Sequence, residues 1–458
     1  MRIIEFDKCR GMVYNHTMKY FDYLGQFLFL GTRVQGNAPS LDGTRALLHA
    51  VGNPHNTFKS IHVAGTNGKG SVVETIYSIL RAEGYKVGKH ISPYLTRFNE
   101  YFSVDGVDVA DDEIEGYLSQ LKPIIKERQD AGLVVTYFEI VVTMVYMHFA
   151  KYNVDVAVVE VGLGGTYDCT NVLEPIAVTP NNPDEIKGVV ATAITQIHFD
   201  HKEVLGMTIE EIASNKAGII KHGVPAVTYN EDSALQVIQN KATLEDAPLT
   251  TIIKHDIKTY PDGNFMTVEY GDKTYLTSLK GHHQGYNTLT AIKTLETVAN
   301  ILPVSKSSIE MGLRNVVHKA RFETIYDNVV FDGAHNSNSL CGFMHLIGDY
   351  YPAPINKKFI VAMLGRKDPD DAMEQLAKMD KHTEIVFTGG PKDNLNQYND
   401  AETLVNSWKK FSDREFEVMA WDDALQHILD DTPQDTAHFI VGSFKTYKYA
   451  VDFLNKKF

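Results

Sequence analysis

Gly65-Thr-Asn-Gly-Lys-Gly-Ser71 is the segment of this chain best equipped for chemistry. Its glycines let the backbone curl so that several N–H groups face one point. A helix starting there adds positive potential, and the combination suits a phosphate group. In such a loop Lys69 would contact the terminal phosphates of a nucleotide and Ser71 would ligate Mg2+. The spacing departs from the usual one, in which Ser or Thr directly follows the lysine, because Gly70 intervenes. The alternative is a plain Gly-rich turn, and the order strand, loop, helix favours the nucleotide site. A second group begins at Glu160, which ends an otherwise apolar run and precedes Gly162-Leu-Gly-Gly165. A carboxylate at a strand end could bind Mg2+, although such residues are more often simply solvated. Asp200-His201 follows a further β-like segment and should reach the same rim; Lys216, in NKAGIIK, would by default be a surface lysine. The third group is Phe331-Asp-Gly-Ala-His-Asn336, preceded by Arg321, where Asp332 follows a short apolar run and His335 can face a cleft.

Those residues need a scaffold, and the recurring pattern is a β-branched run, a Gly-containing turn and a helical period. Ser60–Ala64, Tyr85–His90, Val154–Val161, Ala191–Ile197 and Val224–Tyr229 read as strands, with helices after Ser71 and over Thr136–Ala150. Strands alternating with helices predict an α/β fold with a parallel sheet covered on both faces. The texture changes after Tyr260: Asn264–Leu279 alternates apolar and polar residues around Gly271-Asp272, predicting a hairpin. The α/β rhythm restarts at Asn328–Phe331 and recurs at Lys358–Leu364, Glu384–Thr388 and Ala437–Val441. The boundary is placed at His318, giving domains of residues 1–317 and 318–458.

With 458 residues the chain exceeds one ordinary core. Its 43% hydrophobic and 22% charged residues exclude a disordered or collagen-like chain. Lys plus Arg (44) against Asp plus Glu (58) gives −14, which opposes general binding to nucleic acid or an anionic membrane. An anionic ligand therefore needs a locally positive site. Ile140–Ala150, the longest uncharged apolar run, is too short to span a bilayer, and Glu5 and Asp7 stand where a secretory signal would be basic. Cys9, Cys169 and Cys341 form no CxxC pair, and a reduced cytoplasm is expected.

Taken in order, HVAGTNGKGS, SPYLTRFNE, TYFE, VEVGLGGTYDCTN, DHKEVLG, NKAGIIK, HHQGYN, KARFE, DGAHN and VGSF resemble the folylpolyglutamate synthase and dihydrofolate synthase branch of the Mur ligase superfamily. The resemblance implies an N-terminal P-loop ATPase domain with a parallel sheet and a small β region, then a Rossmann-like C-terminal domain. It implies a monomeric ligase joining L-glutamate to a folate, or to dihydropteroate, with ATP and two Mg2+ ions. Thr66, Asn67, Gly68, Lys69, Gly70, Ser71, Asn287, Arg321 and Asp332 fall at its ATP-binding positions, and Ser71, Glu160 and His201 at its metal positions. Lys216 falls where the family carries a carbamylated lysine; with Lys69 and His335 it makes the catalytic set. Asp168 and Ser443 match positions on the folate and glutamate sides. Three departures stand out: Thr166 where many members have Arg, Tyr94 where they have His, and Ala320 where they have Gly. Thr179–Val190 looks inserted and is expected as a surface loop near the site. The rivals are a peptidoglycan-type ligase, which would need a nucleotide-sugar domain ahead of Gly65 that 64 residues cannot supply, and a P-loop regulator without ligase activity.

Overall fold

Runs such as Val156-Ala-Val-Val-Glu160 present β-branched side chains to both faces of a strand, and both faces are indeed buried. The computed structural model describes residues 19–27, 40–176, 186–365, 368–379, 383–392, 398–430 and 436–456. These fall into two compact units, residues 14–317 and 318–458.

In the first unit the strands are β1 (Lys59–Ala64), β2 (Val87–His90), β3 (Phe102–Val104), β4 (Val107–Asp108), β5 (Val156–Glu160), β6 (Pro175–Ile176), β7 (Lys187–Ile194), β8 (Ala226–Thr228) and β9 (Leu249–Thr251). They make one sheet in the order β4-β3-β2-β5-β1-β7-β8-β9, with β6 paired to β7. Strands β2, β5, β1, β7, β8 and β9 are parallel, and β3, β4 and β6 join antiparallel at the margins. Ile61 and Val63 of β1 face a core with Val72, Ile76 and Leu80 of helix Lys69–Glu83 and with Ile292 and Leu295 of helix His282–Thr297. On the opposite face Ala64 and Ile194 join Ile212, Ala213 and Ile238 of two further helices. The 3.6-residue spacing of Val72, Ile76 and Leu80 supplies the apolar stripe, and Gly84 caps that helix in a left-handed conformation. Helix Tyr137–Lys151 starts at Thr136, whose hydroxyl accepts from the Glu139 N–H while the Glu139 carboxylate accepts from the Thr136 N–H.

One expectation is corrected. Lys187–Val190, read as the end of an inserted surface loop, belongs to the central strand β7, and Gly188–Val190 are buried. Residues 179–185 of that segment lie outside the described residues, as does Cys9. The hairpin expected around Gly271-Asp272 is present as β11 (Phe265–Tyr270) and β12 (Lys273–Thr277), and β10 (Ile257–Asp262) pairs beside β11 to make a three-stranded antiparallel meander.

The second unit has strands β13 (Glu323–Tyr326), β14 (Val329–Phe331), β15 (Asn356–Val361), β16 (Thr383–Phe387), β17 (Glu417–Val418) and β18 (Thr436–Val441), ordered β13-β14-β18-β15-β16-β17. All pairs are parallel except β13–β14. Phe359, Phe439 and Val361 pack with Phe343, Leu376, Leu404 and Trp408 to form its core. Among the described residues no helix is long and apolar enough to cross a membrane, and Cys169 and Cys341 are unpaired thiols.

Candidate active site

In an open parallel sheet the carboxyl ends of neighbouring strands place their loops together. Strands β5, β1 and β7 are neighbours, so the segments after Glu160, Ala64 and Ile194 share one edge. The loop after β1 curls at Gly68, whose φ of +92° belongs to the left-handed region, and a Cβ there would lie 2.3 Å from Asn287 Oδ1. Glycine is therefore required on both conformational and steric grounds. The Asn287 amide is fixed in turn: Tyr229 OH donates to its Oδ1 at 3.2 Å, and its Nδ2 donates to Gln284 Oε1 at 2.9 Å. Thr66 N–H and Asn67 N–H both reach the Gln196 carbonyl, at 2.7 and 3.3 Å, which ties the loop to the segment after β7. Lys69 and Gly70 open the following helix, and Ser71 is buried in its first turn. Tyr229, Gln284 and Gln196 were not singled out from sequence, because nothing in their spacing announces a partner so distant along the chain.

Two lysines converge on this loop. Lys69 Nζ donates to the carbonyls of Gly65 at 3.1 Å and Thr66 at 3.3 Å, and Lys216 Nζ donates to the same Gly65 carbonyl at 2.8 Å. Lys216 is only 3% exposed, which overturns its default reading as a surface lysine. Helix Ile209–Ala217 delivers it, lying so close to the Gly162–Gly165 turn that a Cβ on Gly165 would come within 2.6 Å of the Asn215 carbonyl oxygen. Burial, then repulsion from Lys69, draw the Lys216 ammonium down to about 7, against an opposing pull from Asp200 and Asp168.

Glu160 is buried at the end of β5, and its Oε2 accepts from the Ser92 N–H at 3.3 Å. Asp168 turns its carboxylate inward: it accepts from the N–H groups of Leu163 at 2.7 Å and Thr170 at 3.0 Å and from the Thr170 hydroxyl. Burial raises its pKa and those bonds lower it, so this carboxylate shapes its own loop. Thr166 likewise faces inward, its hydroxyl donating to the Asn215 carbonyl at 3.0 Å. Tyr94 sits in an aromatic cluster with Tyr101, ring centroids 5.0 Å apart, and Phe98. His201 is 53% exposed at its side chain, with its Nε2 3.6 Å from Asp200 Oδ1. Among the described residues no group of three His, Cys, Asp or Glu side chains is placed to hold a metal.

The second unit carries its own cluster. Asp332, at the end of β14, is buried; its Oδ2 accepts from Phe322 N–H and its Oδ1 from Ala334 N–H, each at 2.8 Å. Burial raises its pKa, with Arg321 and the two amides pulling the other way. Arg321 lies between two residues in the left-handed region, Ala320 at φ 58° and Phe322 at φ 46°. Glycine would adopt that conformation at Ala320 without strain, and strained backbone of this kind persists where the fold over-determines it. Ala320 is held by its N–H donating to Glu323 Oε2 at 2.6 Å. His335 Nδ1 donates to the Gly333 carbonyl at 2.7 Å, and Ser443 Oγ accepts from Lys445 N–H at 3.1 Å, capping a short turn after β18.

Residues 63–295 match the Mur ligase middle domain. The chain is 37% identical over 322 residues to the dihydrofolate synthase/folylpolyglutamate synthase of Bacillus subtilis, covering 67% of this chain and 71% of that protein. It is 33% identical over 411 residues to the folylpolyglutamate synthase of Lacticaseibacillus casei, covering 87% and 90%. The Mycobacterium tuberculosis folylpolyglutamate synthase complexed with ADP superposes with a TM-score of 0.78 at 25% identity, over 95% of this chain and 97% of that one. With the Gly65–Ser71 loop, the paired lysines and the two α/β units, these likenesses make the chain a member of the folylpolyglutamate synthase/dihydrofolate synthase family of Mur-type ligases.

Proposed function

We propose that this chain is an ATP-dependent ligase that adds L-glutamate to tetrahydrofolate through an acyl phosphate, with dihydropteroate as a second acceptor. The observation that carries the reading is the Gly65–Ser71 loop with Lys69 and the buried Lys216 on one carbonyl, in a chain of this family. A carboxylate is a poor acyl donor, so its oxygen must first attack the γ-phosphorus of ATP and release ADP. Two anions have to meet, and their repulsion is offset by Lys69 and the N–H groups of the loop; Arg321 is assigned to ATP. The neutral amine of glutamate then attacks the acyl carbon; the amide forms and phosphate leaves. Since His335 Nδ1 donates to the Gly333 carbonyl, the neutral ring presents its acceptor at Nε2, the atom assigned to take the proton lost by the amine.

Ser71, Glu160 and His201 are assigned to two Mg2+ ions. The buried Glu160 carboxylate and the Ser71 hydroxyl are hard oxygen donors of the right type, and the bound ions would supply positive charge beside the phosphates. Lys216 is assigned as a carbamate: its neutral amine adds to CO2, a proton leaves, and the burial that holds the ammonium near 7 makes that amine available. The protein is expected to act as a cytoplasmic monomer. The test is release of ADP and phosphate with labelled glutamate. Turnover that requires both ATP and tetrahydrofolate and yields a glutamyl amide supports the reading, and the same assay with dihydropteroate reads the second activity. ATP hydrolysis indifferent to both acceptors would overturn it.

A further inference from the structure

Phe444 has no role in the reaction outlined above, yet it touches three members of the Arg321–His335 cluster. The Arg321 guanidinium carbon lies 4.4 Å from the centre of its ring. The His335 ring meets it edge-on, with centroids 5.8 Å apart and planes at 72°. Gly333 lies so near that a Cβ there would fall 1.8 Å from Phe444 Cε1. The ring is delivered by the turn that Ser443 caps after β18. That turn is stitched to the β14 loop by two backbone hydrogen bonds: Asp332 N–H to the Ile440 carbonyl at 3.1 Å, and Gly442 N–H to the Ala334 carbonyl at 2.9 Å. Phe331 packs edge-on against Tyr447, with centroids 5.0 Å apart, and Tyr447 OH donates to Glu323 Oε1 at 3.0 Å, so both sides of the turn are fixed.

We propose that Phe444 is a positioning residue, an aromatic platform that sets the direction in which Arg321 and His335 are presented. A flexible arginine otherwise spends its side-chain entropy on every contact it makes. Here the electron-rich face of the ring attracts the guanidinium and narrows its range. Gly333 is the counterpart of this device: the loop has no side chain at that position because the ring occupies the space.

The proposal rests on the assignment of Arg321 to ATP, and a double-mutant cycle on the full-length chain separates the two. ATP affinity is measured by calorimetry for Arg321→Ala, Phe444→Leu and the pair, together with the KM values for ATP and glutamate. Phe444→Leu is expected to weaken ATP binding about 3- to 30-fold, the range of a cation–ring contact. The KM for glutamate should stay unchanged, Phe444→Tyr should retain wild-type affinity, and Phe444→Leu should add nothing in the Arg321→Ala background. Replacing Phe444 by 3,5-difluorophenylalanine keeps the shape and weakens the face, so it reads the same effect without disturbing packing. Wild-type ATP affinity in the difluoro protein, or additive losses in the double variant, would overturn the platform. Unchanged affinity in Arg321→Ala would instead overturn the assignment of Arg321 itself.

Discussion

The loops after β1 and β14 both leave the carboxyl end of a buried parallel strand, yet they are organised with opposite polarity. After β1 two lysine side chains, Lys69 and Lys216, donate to backbone carbonyls. After β14 an anionic side chain, Asp332, accepts from backbone N–H groups, and the cation, Arg321, rests on an aromatic face. In the first loop the lysines occupy the Gly65 and Thr66 carbonyls, and the Gln196 carbonyl takes the Thr66 and Asn67 N–H groups. It is therefore the helix start, whose first N–H groups have no intrahelical acceptor, that faces an anion. In the second the carboxylate consumes the N–H groups, so positive character comes from a side chain. A phosphate cradle therefore draws on the amides of its helix start, whereas a loop that presents arginine can use its amides for structure.

The largest expected effect comes from removing the first loop's cation. Lys69→Ala should lower kcat by at least about 1000-fold, with a melting temperature near that of wild type, because it removes a charge opposite phosphate and no core volume. Steady-state rates with calorimetric melting check this; normal turnover would break the polarity argument at its centre. Lys216→Ala should also be nearly inactive, with part of the rate restored by acetate or formate standing in for the carbamate. The neutral fraction of the Lys216 amine rises as pH climbs through about 7, so incorporation of labelled CO2 should increase from pH 6 to 8 in the wild-type protein and be lost from the variant.

Acid should separate the two units. His55, His90 and His148 are held down to about 4 and His62 to about 3, in each case chiefly by burial. Below the ordinary histidine value of about 6.5 the unfolded chain binds protons that the folded unit refuses, so stability is lost as pH falls from 6.5 toward 4. All four lie in the 14–317 unit, whereas both tryptophans, Trp408 and Trp421, lie in the other. Far-UV circular dichroism should therefore change at a higher pH than tryptophan fluorescence; coincident transitions would count against the separation. The smallest effect is expected at Ser443: Ser443→Ala should raise the KM for glutamate a few-fold and that for ATP less. Equal increases would trace instead to the turn that carries Phe444.

Local pattern revealed a good deal. β-branched runs such as Val156–Val159 announce buried strands wherever they fall, and the spacing of Val72, Ile76 and Leu80 announces a helix. The Gly65–Ser71 loop is legible because glycine, lysine and serine at those intervals have few other uses between a strand and a helix. By contrast β10 (IKTYPD) escaped notice, since it lacks an apolar run and carries Pro261; it is a strand because it pairs along one edge with β11. Lys187 and Gly188 read as loop for the same reason, and pairing with β1 and β6 makes them part of β7.

The sequence by itself determined which residues carry charge, where the backbone can curl and which stretches must be buried, because propensity and periodicity act over a few neighbours. Only the tertiary structure decided that Lys216 is buried on the Gly65 carbonyl, that Asn287 is held by Tyr229 beside Gly68, and that Phe444 lies under Arg321. These pairs stand 58 to 151 residues apart, or more than 100 in the case of Arg321 and Phe444, and nothing in local spacing encodes their meeting. The desolvation that draws the Lys216 ammonium down arises only when the sheet edge and helix Ile209–Ala217 close over it.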